Sequence, residues 1–398
     1  MTPLQIQELA EPIEAVYERM TDDLLRNIVR HITKPTTTHT ARWEIQKLSE
    51  LGQLTQENAA IINRHIKAIP KMVREMMEET RRITLSEIEA TLSQAAEAGY
   101  ITPPMRQATA DYLADLLAQA DDRLNLTNTT MLQSSLDAYT AEIMETAQTV
   151  QEAEQRNREL LARTLSSMET LNTHSAAYLT RTETFQTAVH RAIEELNQSG
   201  LTGFVDRAGR HWSAEAYVNM VVRTTAHNAS IQTVQRQMSD YGVEVFQISA
   251  HPGARPLCEP YQGWFCTWSG EEGDIELGNG QTEHYVSIHE TSYGLPAGIF
   301  GINCGHDPIP MVEGFSIPRA QEDIQSAEEN KRVYQESQEQ RSLERAIRAA
   351  KREIYLQGDR ATPEDREALR AAQAAMREFI ERTGRVRRYD REQVYTEE

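Results

Sequence analysis

Cysteine is scarce in this chain of 398 residues, which has only Cys258, Cys266 and Cys304. A small, odd number excludes the disulfide framework that secreted domains with a small core depend on. The chain is long enough for two or three domains with a sizeable apolar core of their own. We therefore expect a protein made in a reducing cytoplasm, with its cysteines reduced.

Long apolar runs and a secretion signal are also missing. No run of ~18 apolar residues occurs, so the sequence predicts no membrane segment. The opening residues MTPLQIQELAEPIEAVYERM carry acidic side chains and lack the apolar centre of a signal peptide. Both observations predict a soluble chain that stays in the cytoplasm of the cell that makes it.

The chain has fewer basic than acidic residues, with 41 Lys and Arg, 60 Asp and Glu, and a net charge of −19. A surface that coats nucleic acid is excluded, since phosphate contacts need basic side chains. The C-terminal tail is the local exception, and Arg385, Arg387, Arg388 and Arg391 are candidate DNA contacts there. The alternative is that they form the solvated end of a helix.

Aromatic residues make up only 6% of the chain, and three of the four tryptophans lie at 212, 264 and 268. Around them, residues 201–318 are rich in glycine and proline and contain short runs of β-forming residues. Residues 1–200 and 319–398 carry apolar residues at helical spacing or interleaved charges. The predicted fold is mainly α with a small central α+β domain. A helical bundle or arm (1–200) precedes that domain (201–318), and charged helices with an Arg-rich tail (319–398) follow it.

Capping residues predict several helix ends. Ser213 is a candidate N-cap for a helix over 214–240, and Thr55 for one that begins near residue 55. Thr362, followed by Pro and two acids, starts a helix that Gly384 ends. The polar hexapeptide NLTNTT, residues 125–130, predicts an interruption of the long helical stretch before residue 197.

The stretch SAHPGARPLCEPYQGWFCTWSG, residues 249–270, concentrates side chains that can do chemistry. Zinc prefers nitrogen and sulfur ligands in a tetrahedron. His251, Cys258, Cys304 and His306 can supply four, and the last two form a chelating pair on a Gly-containing turn. Against zinc, no C-x-x-C pair is present. The alternative is that the cysteines are buried and the histidines hydrogen-bonded.

Two other interpretations concern catalysis and structure. Cys258 or Cys304 beside a histidine can act as a nucleophile, and His284 and His289 are nearby candidate bases, but no spacing here is typical of an enzyme. A structural role explains more residues. A guanidinium at 255 can tie loop carbonyls together, and glycines at 253 and 263 permit tight turns. The structural motif consists of Ser249, Gly253, Arg255, Gln262, Gly263 and Asn303.

Several ordered segments resemble one known family. SAHPGARPLCEPYQG and, some forty residues later, GIFGINCGHDPIPMVEG are similar to the signature of the phage minor capsid protein 2 family. More distantly, they resemble the Mu F-like head morphogenesis proteins. The helix YVNMVVRTTAHNASIQTVQRQ before them, and QEQRSLERAIRAAKRE and FIERTGRVRRYDREQV after them, follow the family's order. The resemblance covers residues 200–395 well and the N-terminal helices more loosely.

The resemblance implies a virion protein without catalytic activity. It implies that the protein lies at the portal vertex or in the capsid interior of the virion, and in the host cytoplasm during assembly. It also implies that the protein assists head assembly, DNA packaging or DNA delivery. The implied partners are the portal protein, the major capsid protein and packaged DNA through the C-terminal tail. The alternatives are a metal- or Cys-dependent enzyme delivered with the DNA, and a scaffolding protein absent from the mature virion.

The chain departs from the family pattern GARPxHxxWQG at two positions, with Cys258 for its His and Tyr261 for its Trp. A Cys/His exchange is one that a zinc ligand tolerates, which favours a structural zinc site. Gly305 stands where the family has Arg in NCRH. Without that guanidinium, the turn is a poorer candidate for binding phosphate.

Overall fold

Helices make up most of the described chain, as the apolar periodicity predicts. The computed structural model describes residues 1–34, 40–103, 112–165, 187–198, 200–206, 209–318 and 324–394. The helices are α1 (Pro3–Thr33), α2 (Thr40–Ser49), α3 (Leu51–Ile66), α4 (Ile69–Glu97), α5 (Tyr112–Leu165), α6 (187–198), α7 (Ala214–Asp240), α8 (Ala327–Gln357) and α9 (Pro363–Thr383). No helix among the described residues is both long and apolar enough to span a bilayer.

Local capping sets the ends of α7 and α9 where the sequence predicts them. The Ser213 side chain accepts a hydrogen bond from the backbone N–H of Ala216 at 3.2 Å. Thr362 and Asp365 each accept a hydrogen bond from the other's backbone N–H, which closes a capping box. Gly384 ends α9 in the left-handed conformation, with φ of 68°.

Two predicted boundaries are wrong. Thr55 lies inside α3, where its hydroxyl donates to the Leu51 carbonyl oxygen at 2.7 Å instead of capping. The hexapeptide at 125–130 lies inside α5, where the Thr130 hydroxyl donates to the Leu126 carbonyl oxygen and Thr127 is buried. Both hydroxyls bind the preceding turn, which lets a polar residue remain in a helix.

The strands form one hairpin and one sheet. The hairpin pairs β1 (Thr202–Val205) with β2 (His211–Ser213). The five-stranded sheet contains β3 (Val245–Ile248), β4 (Phe265–Thr267), β5 (Gly273–Glu276), β6 (Thr282–Ser287) and β7 (Pro308–Pro310), in the order β5-β6-β4-β3-β7. Only β4 and β6 are parallel neighbours; the other pairs in this sheet are antiparallel.

Residue contacts divide the chain into two units, each built from three segments. Unit 1 contains Met1–Ala15, Ala68–Asn125 and Val218–Arg341, and unit 2 contains Val16–Lys67, Leu126–Tyr217 and Ser342–Glu398. These segments group differently from the three successive ranges 1–200, 201–318 and 319–398. The division into three successive domains therefore stays a prediction.

The sheet of unit 1 has an apolar core on each face. On one face, Phe246, Ile248 and Cys266 pack with α4 and α7 residues such as Leu92 and Val234. On the other, the core contains Val245, Phe265, Ile275, Leu277 and Met311. Neighbouring residues of β3 lie in different cores because successive side chains of a strand point to opposite faces.

Unit 2 has an all-helical core with buried polar groups inside it. Asn27 donates to the Asn58 side chain at 2.8 Å, and Asn58 donates to the Ser135 hydroxyl at 2.9 Å. Arg352 is nearly buried and binds Asp22 and Glu215, at 2.6 and 2.7 Å. Buried polar groups cost stability unless they are paired, so these contacts fix how α1, α3, α5, α7 and α8 pack in this unit.

Candidate functional site

The motif residues come together where two loops of unit 1 meet. One loop follows β3 and the other precedes β7, and these strands are paired. Ser249 and Asp307 fasten the loop ends, because the Ser249 N–H donates to the Asp307 carbonyl oxygen at 3.0 Å and the Asp307 N–H donates to the Ser249 hydroxyl at 2.8 Å. The sheet register therefore positions two segments that are far apart in sequence.

Arg255 ties the first loop to the second. Its guanidinium donates to the carbonyl oxygens of Ile302 at 2.6 Å and Gly298 at 3.3 Å. A third contact joins Arg255 Nη2 to Cys258 Sγ at 3.8 Å. The planar fork of arginine suits this task, since it holds several acceptors at fixed angles.

Helix α8 holds the first loop through Asn330, which the sequence analysis does not single out. The Asn330 side chain accepts from the Ala254 N–H at 2.7 Å and donates to the Ala254 carbonyl oxygen at 2.8 Å. Gly253 has a φ of 71°, and a Cβ there would lie 3.1 Å from Val333 Cγ1. Glycine is therefore required both by the backbone and by the close approach of α8.

A buried group of two thiols and an imidazole lies at the junction of the loops. Cys258 Sγ is 4.0 Å from Cys304 Sγ, and Cys304 Sγ is 3.4 Å from His306 Nδ1. The potential ligand atoms of these three residues all lie within 4.8 Å of one another. His251, predicted as the fourth ligand, is outside this group as it stands.

The two thiols differ in acidity. The hydrogen bond from Cys304 and, to a smaller extent, Arg255 lower the pKa of Cys258 to about 7 against the effect of burial. The pKa of Cys304 is raised to about 11, because Cys304 donates the hydrogen bond to Cys258 and because its thiol is buried. The first proton therefore leaves from Cys258, whose thiolate Cys304 and Arg255 stabilise.

Gln262 organises the histidines next to the thiols. Its Oε1 accepts from the His251 backbone N–H at 2.9 Å and lies 3.3 Å from His306 Nε2. With a proton on Nε2, His306 turns its Nδ1 lone pair toward Cys304. The ring of His251 lies 4.3 Å from that of His306, and burial together with His306 lowers the pKa of His251 to about 4.

One face of α7 supports the turn that carries Cys304. Thr224 accepts from the Asn303 N–H at 3.4 Å, and His227 Nε2 donates to the His306 carbonyl oxygen at 2.8 Å. Ser230 donates to Asp307 Oδ1 at 3.4 Å. In the sequence, these supporting residues could be recognised only as polar residues spaced three apart on an otherwise apolar helix face.

The turn before Cys304 has an unusual backbone. Phe300 and Asn303 have φ values of 57° and 54°, in the left-handed region that residues other than glycine seldom adopt. The Phe300 N–H donates to Cys304 Sγ at 3.2 Å. Such a conformation persists only where its surroundings fix it, and here the sulfur is part of those surroundings.

The predicted catalytic bases lie apart from the thiols. His284 Nδ1 is 2.9 Å from Asp274 Oδ1, and both side chains are more than half exposed. His289 makes an edge contact with Tyr293. Neither histidine belongs to the group formed by Cys258, Cys304 and His306 in the described chain.

Around the buried group, the loops expose apolar side chains. The apolar side chains that these loops expose, called the exposed loop patch below, are Leu257, Trp264, Tyr293, Leu295 and Ile302, each at least 36% exposed. The Ser292 hydroxyl donates to the Leu257 carbonyl oxygen, and the Leu295 N–H donates to the Ser292 carbonyl oxygen. Hydrogen bonds thus hold the loops while their apolar side chains face solvent.

Three of the four candidate DNA contacts at the C-terminus are engaged with carboxylates in unit 2. Arg387 binds Glu392 through two hydrogen bonds of 2.7 Å, and Arg388 binds Asp390 in the same manner, at 3.1 and 3.0 Å. Arg391 Nη1 lies 3.7 Å from the buried Glu344. A phosphate would have to compete with these carboxylates.

Comparisons with known proteins agree with one another. The sequence model of a family described as "Phage minor capsid protein 2" matches residues 1–181 and 168–381. A "Structural protein" of Lactococcus phage LL-H is 26% identical over 335 residues, which are 82% of this chain and 80% of that protein. A "Structural protein" of Lactococcus phage mv4 is 43% identical over 65 residues, 16% of this chain and 50% of the other. No solved structure matches the chain.

Proposed function

The chain belongs to the phage minor capsid protein 2 family, and from that premise we propose that it is a virion component that docks on the portal protein. Its place is the portal vertex, on the inner side of the capsid. There it assists head assembly and the packaging or delivery of DNA. Its action is binding rather than catalysis.

The exposed loop patch is the observation that carries this proposal. Exposed apolar side chains cluster at interfaces when a rigid scaffold presents them together. Arg255, Asn330 and the β3–β7 pairing supply that scaffold, so the loops lose little conformational entropy when a partner binds. An anchor such as Trp264 is typical of the residues that contribute most to binding energy.

The test is co-expression with the portal protein of the same gene cluster, followed by determination of the mass of any complex. We expect a complex of fixed stoichiometry. The double variant Leu257→Ser/Leu295→Ser should weaken it at least ten-fold, because both side chains belong to the patch and are exposed. Their exposure also means that the melting temperature should change little.

Leu126→Ser is the matched control, since Leu126 is 51% exposed on α5 and lies outside the loops. Its complex should form with unchanged affinity. A complex that tolerates the double variant would contradict the patch as the docking surface. A chain that ignores the portal protein altogether would contradict the portal role itself.

Mass spectrometry of mature virions separates this function from scaffolding. A virion component is retained in the mature particle, whereas a scaffold is lost before maturation. Absence of the chain from mature virions would overturn the virion part of the proposal and leave a role in assembly.

A further inference from the structure

We propose that unit 1 binds one zinc ion through Cys258 Sγ, Cys304 Sγ and His306 Nδ1, with His251 as the fourth ligand. The ion would be structural and would fasten the two motif loops to each other. This inference does not depend on the portal role. It concerns the stability of the loops, whichever partner they meet.

Two of the distances between the three ligand atoms match a tetrahedral site. Bonds from zinc of about 2.3 Å to sulfur and about 2.0 Å to nitrogen place two sulfurs about 3.8 Å apart, and sulfur and nitrogen about 3.5 Å apart. The structure has 4.0 Å between Cys258 Sγ and Cys304 Sγ and 3.4 Å between Cys304 Sγ and His306 Nδ1. These two distances lie within a few tenths of an ångström of that geometry, and the third, from Cys258 Sγ to the His306 ring nitrogen, is within 4.8 Å.

The groups around the ligands prepare them for a metal. Gln262 Oε1 lies within hydrogen-bond distance of His306 Nε2, which directs Nδ1 toward the sulfurs. Metal-binding histidines commonly have such a partner on the other ring nitrogen. The Phe300 N–H donates to Cys304 Sγ, and Arg255 Nη2 lies 3.8 Å from Cys258 Sγ. Both donors favour a thiolate, the form that binds zinc.

His251 is the candidate for the fourth position because its Nε2 is buried without a hydrogen-bond partner. A buried polar atom of this kind costs free energy unless a ligand satisfies it. The ring lies 4.3 Å from that of His306. The metal would have to draw Nε2 inward, since it lies outside the compact group of three.

Charge and softness favour zinc over other ions. Two thiolates neutralise the divalent charge, so a buried site carries no net charge from ion and ligands. Sulfur and imidazole ligands select zinc over magnesium or calcium, which prefer oxygen. The loops have few backbone ladder hydrogen bonds, and a structural ion can supply the fixation that a small core lacks.

Zinc content of the full-length chain, purified under reducing conditions without chelator, tests the site. We expect about one zinc per chain, and at least a ten-fold lower content in Cys258→Ser, Cys304→Ser and His306→Ala. In His251→Ala, we expect at least a ten-fold weaker affinity. Replacement of zinc by cobalt should give the absorption of a tetrahedral site, with sulfur-to-cobalt charge transfer that weakens in each cysteine variant.

Cys266→Ser is the matched control. Cys266 is buried in the same core as Cys258 and Cys304 but lies outside the group, so this variant should keep its zinc and cobalt absorption. Retention of full zinc content in Cys304→Ser would overturn the site. So would a metal-free wild-type chain that takes up no zinc on reconstitution, or a Cys258–Cys304 disulfide in the protein as purified. An unchanged affinity in His251→Ala would overturn the assignment of the fourth ligand.

Discussion

Arg255 Nη1 donates to the Ile302 carbonyl oxygen at 2.6 Å across 47 positions of sequence. With the contact to the Gly298 carbonyl oxygen, it joins the two loops that carry the buried thiols. Both acceptors belong to the segment that leads to Cys304, so this side chain fixes that segment relative to the first loop.

Arg255→Ala should lower the free energy of unfolding of unit 1 by about 2–3 kcal/mol, because hydrogen bonds from a charged donor are lost. Arg255→Lys should recover less than half of this, since an ammonium lacks the planar fork. Denaturant unfolding followed by tryptophan fluorescence measures both, because Trp264 and Trp268 lie in this unit. Equal midpoints for wild type and Arg255→Ala would contradict the role.

Asn330→Ala should cost about 2–4 kcal/mol, because it leaves the buried N–H and carbonyl of Ala254 without their partner. Asn330→Asp should cost more, since a carboxylate oxygen would then face the Ala254 carbonyl oxygen. The control is Asn279→Ala in the same unit, whose hydrogen bonds to Gln281 are exposed to solvent, with an expected change below about 1 kcal/mol. The same denaturant series measures all three, and similar losses for Asn330→Ala and Asn279→Ala would refute the clamp.

Arg352→Ala should destabilise unit 2 by about 3–5 kcal/mol, because the buried Asp22 would lose this ion pair and Glu215 would keep only its longer contact to Arg348. Arg370→Ala is the control: its pair with Glu367 is exposed on α9 and contributes less than about 1 kcal/mol. Thermal unfolding followed by circular dichroism compares the two. Equal melting temperatures for both variants would show that the buried network does not stabilise this unit.

Glu142 should make unit 2 less stable as pH rises. Burial, together with Glu195 and Glu145, raises its pKa from 4.5 to about 8. Between those values, the unfolded chain ionises Glu142 while the folded chain keeps it protonated, so stability falls across this window. Glu142→Gln, which mimics the protonated form, should gain about 1–2 kcal/mol relative to wild type between pH 5 and pH 8.

Unfolding of Glu142→Gln and wild type at both pH values measures this gain. Glu152→Gln, an exposed position on the same helix α5, is the control and should show no pH-dependent gain. A constant difference between Glu142→Gln and wild type at the two pH values would rule out the raised pKa.

The tail arginines predict a modest, salt-sensitive affinity for DNA. For binding of the full chain to linear duplex DNA, the logarithm of the binding constant should fall linearly with the logarithm of the salt concentration. The magnitude of this slope should decrease by about 0.9 for each phosphate contact removed. Arg385→Ala/Arg388→Ala tests this, with the exposed pair Arg332→Ala/Arg370→Ala as a control of equal charge loss. An identical slope in the double variant and the control would mean that these two arginines do not contact DNA.

The helices and the order of segments could be predicted from sequence, because periodicity and caps are local. Ser213 and Thr362 each cap a helix with atoms three residues away. The predictions at Thr55 and NLTNTT were wrong for a related reason. A hydroxyl can cap a helix at one position and bind the carbonyl of the preceding turn at another, and the packing of neighbouring segments decides which of the two occurs.

The sequence predicted which residues belong to the candidate site, but it did not predict how they are arranged in space. Cys304 and His306 are two positions apart in sequence, so their contact is local. Cys258 meets them through the pairing of β3 with β7, and His251 instead lies against His306. Thr224 and His227 have only a weak signal, their three-residue spacing on an apolar helix face, and nothing in a single sequence separates Asn330 from other polar residues of helices.

Composition, charge and helical period are properties of the chain itself. They determined a mainly helical, acidic protein with a small central α+β region and few cysteines. Which distant segments meet was decided by tertiary structure, through strand register, the fork of Arg255 and the close approach of α8 at Gly253. Those choices depend on the packing free energy of the whole unit, to which every segment contributes and which no short stretch of sequence contains.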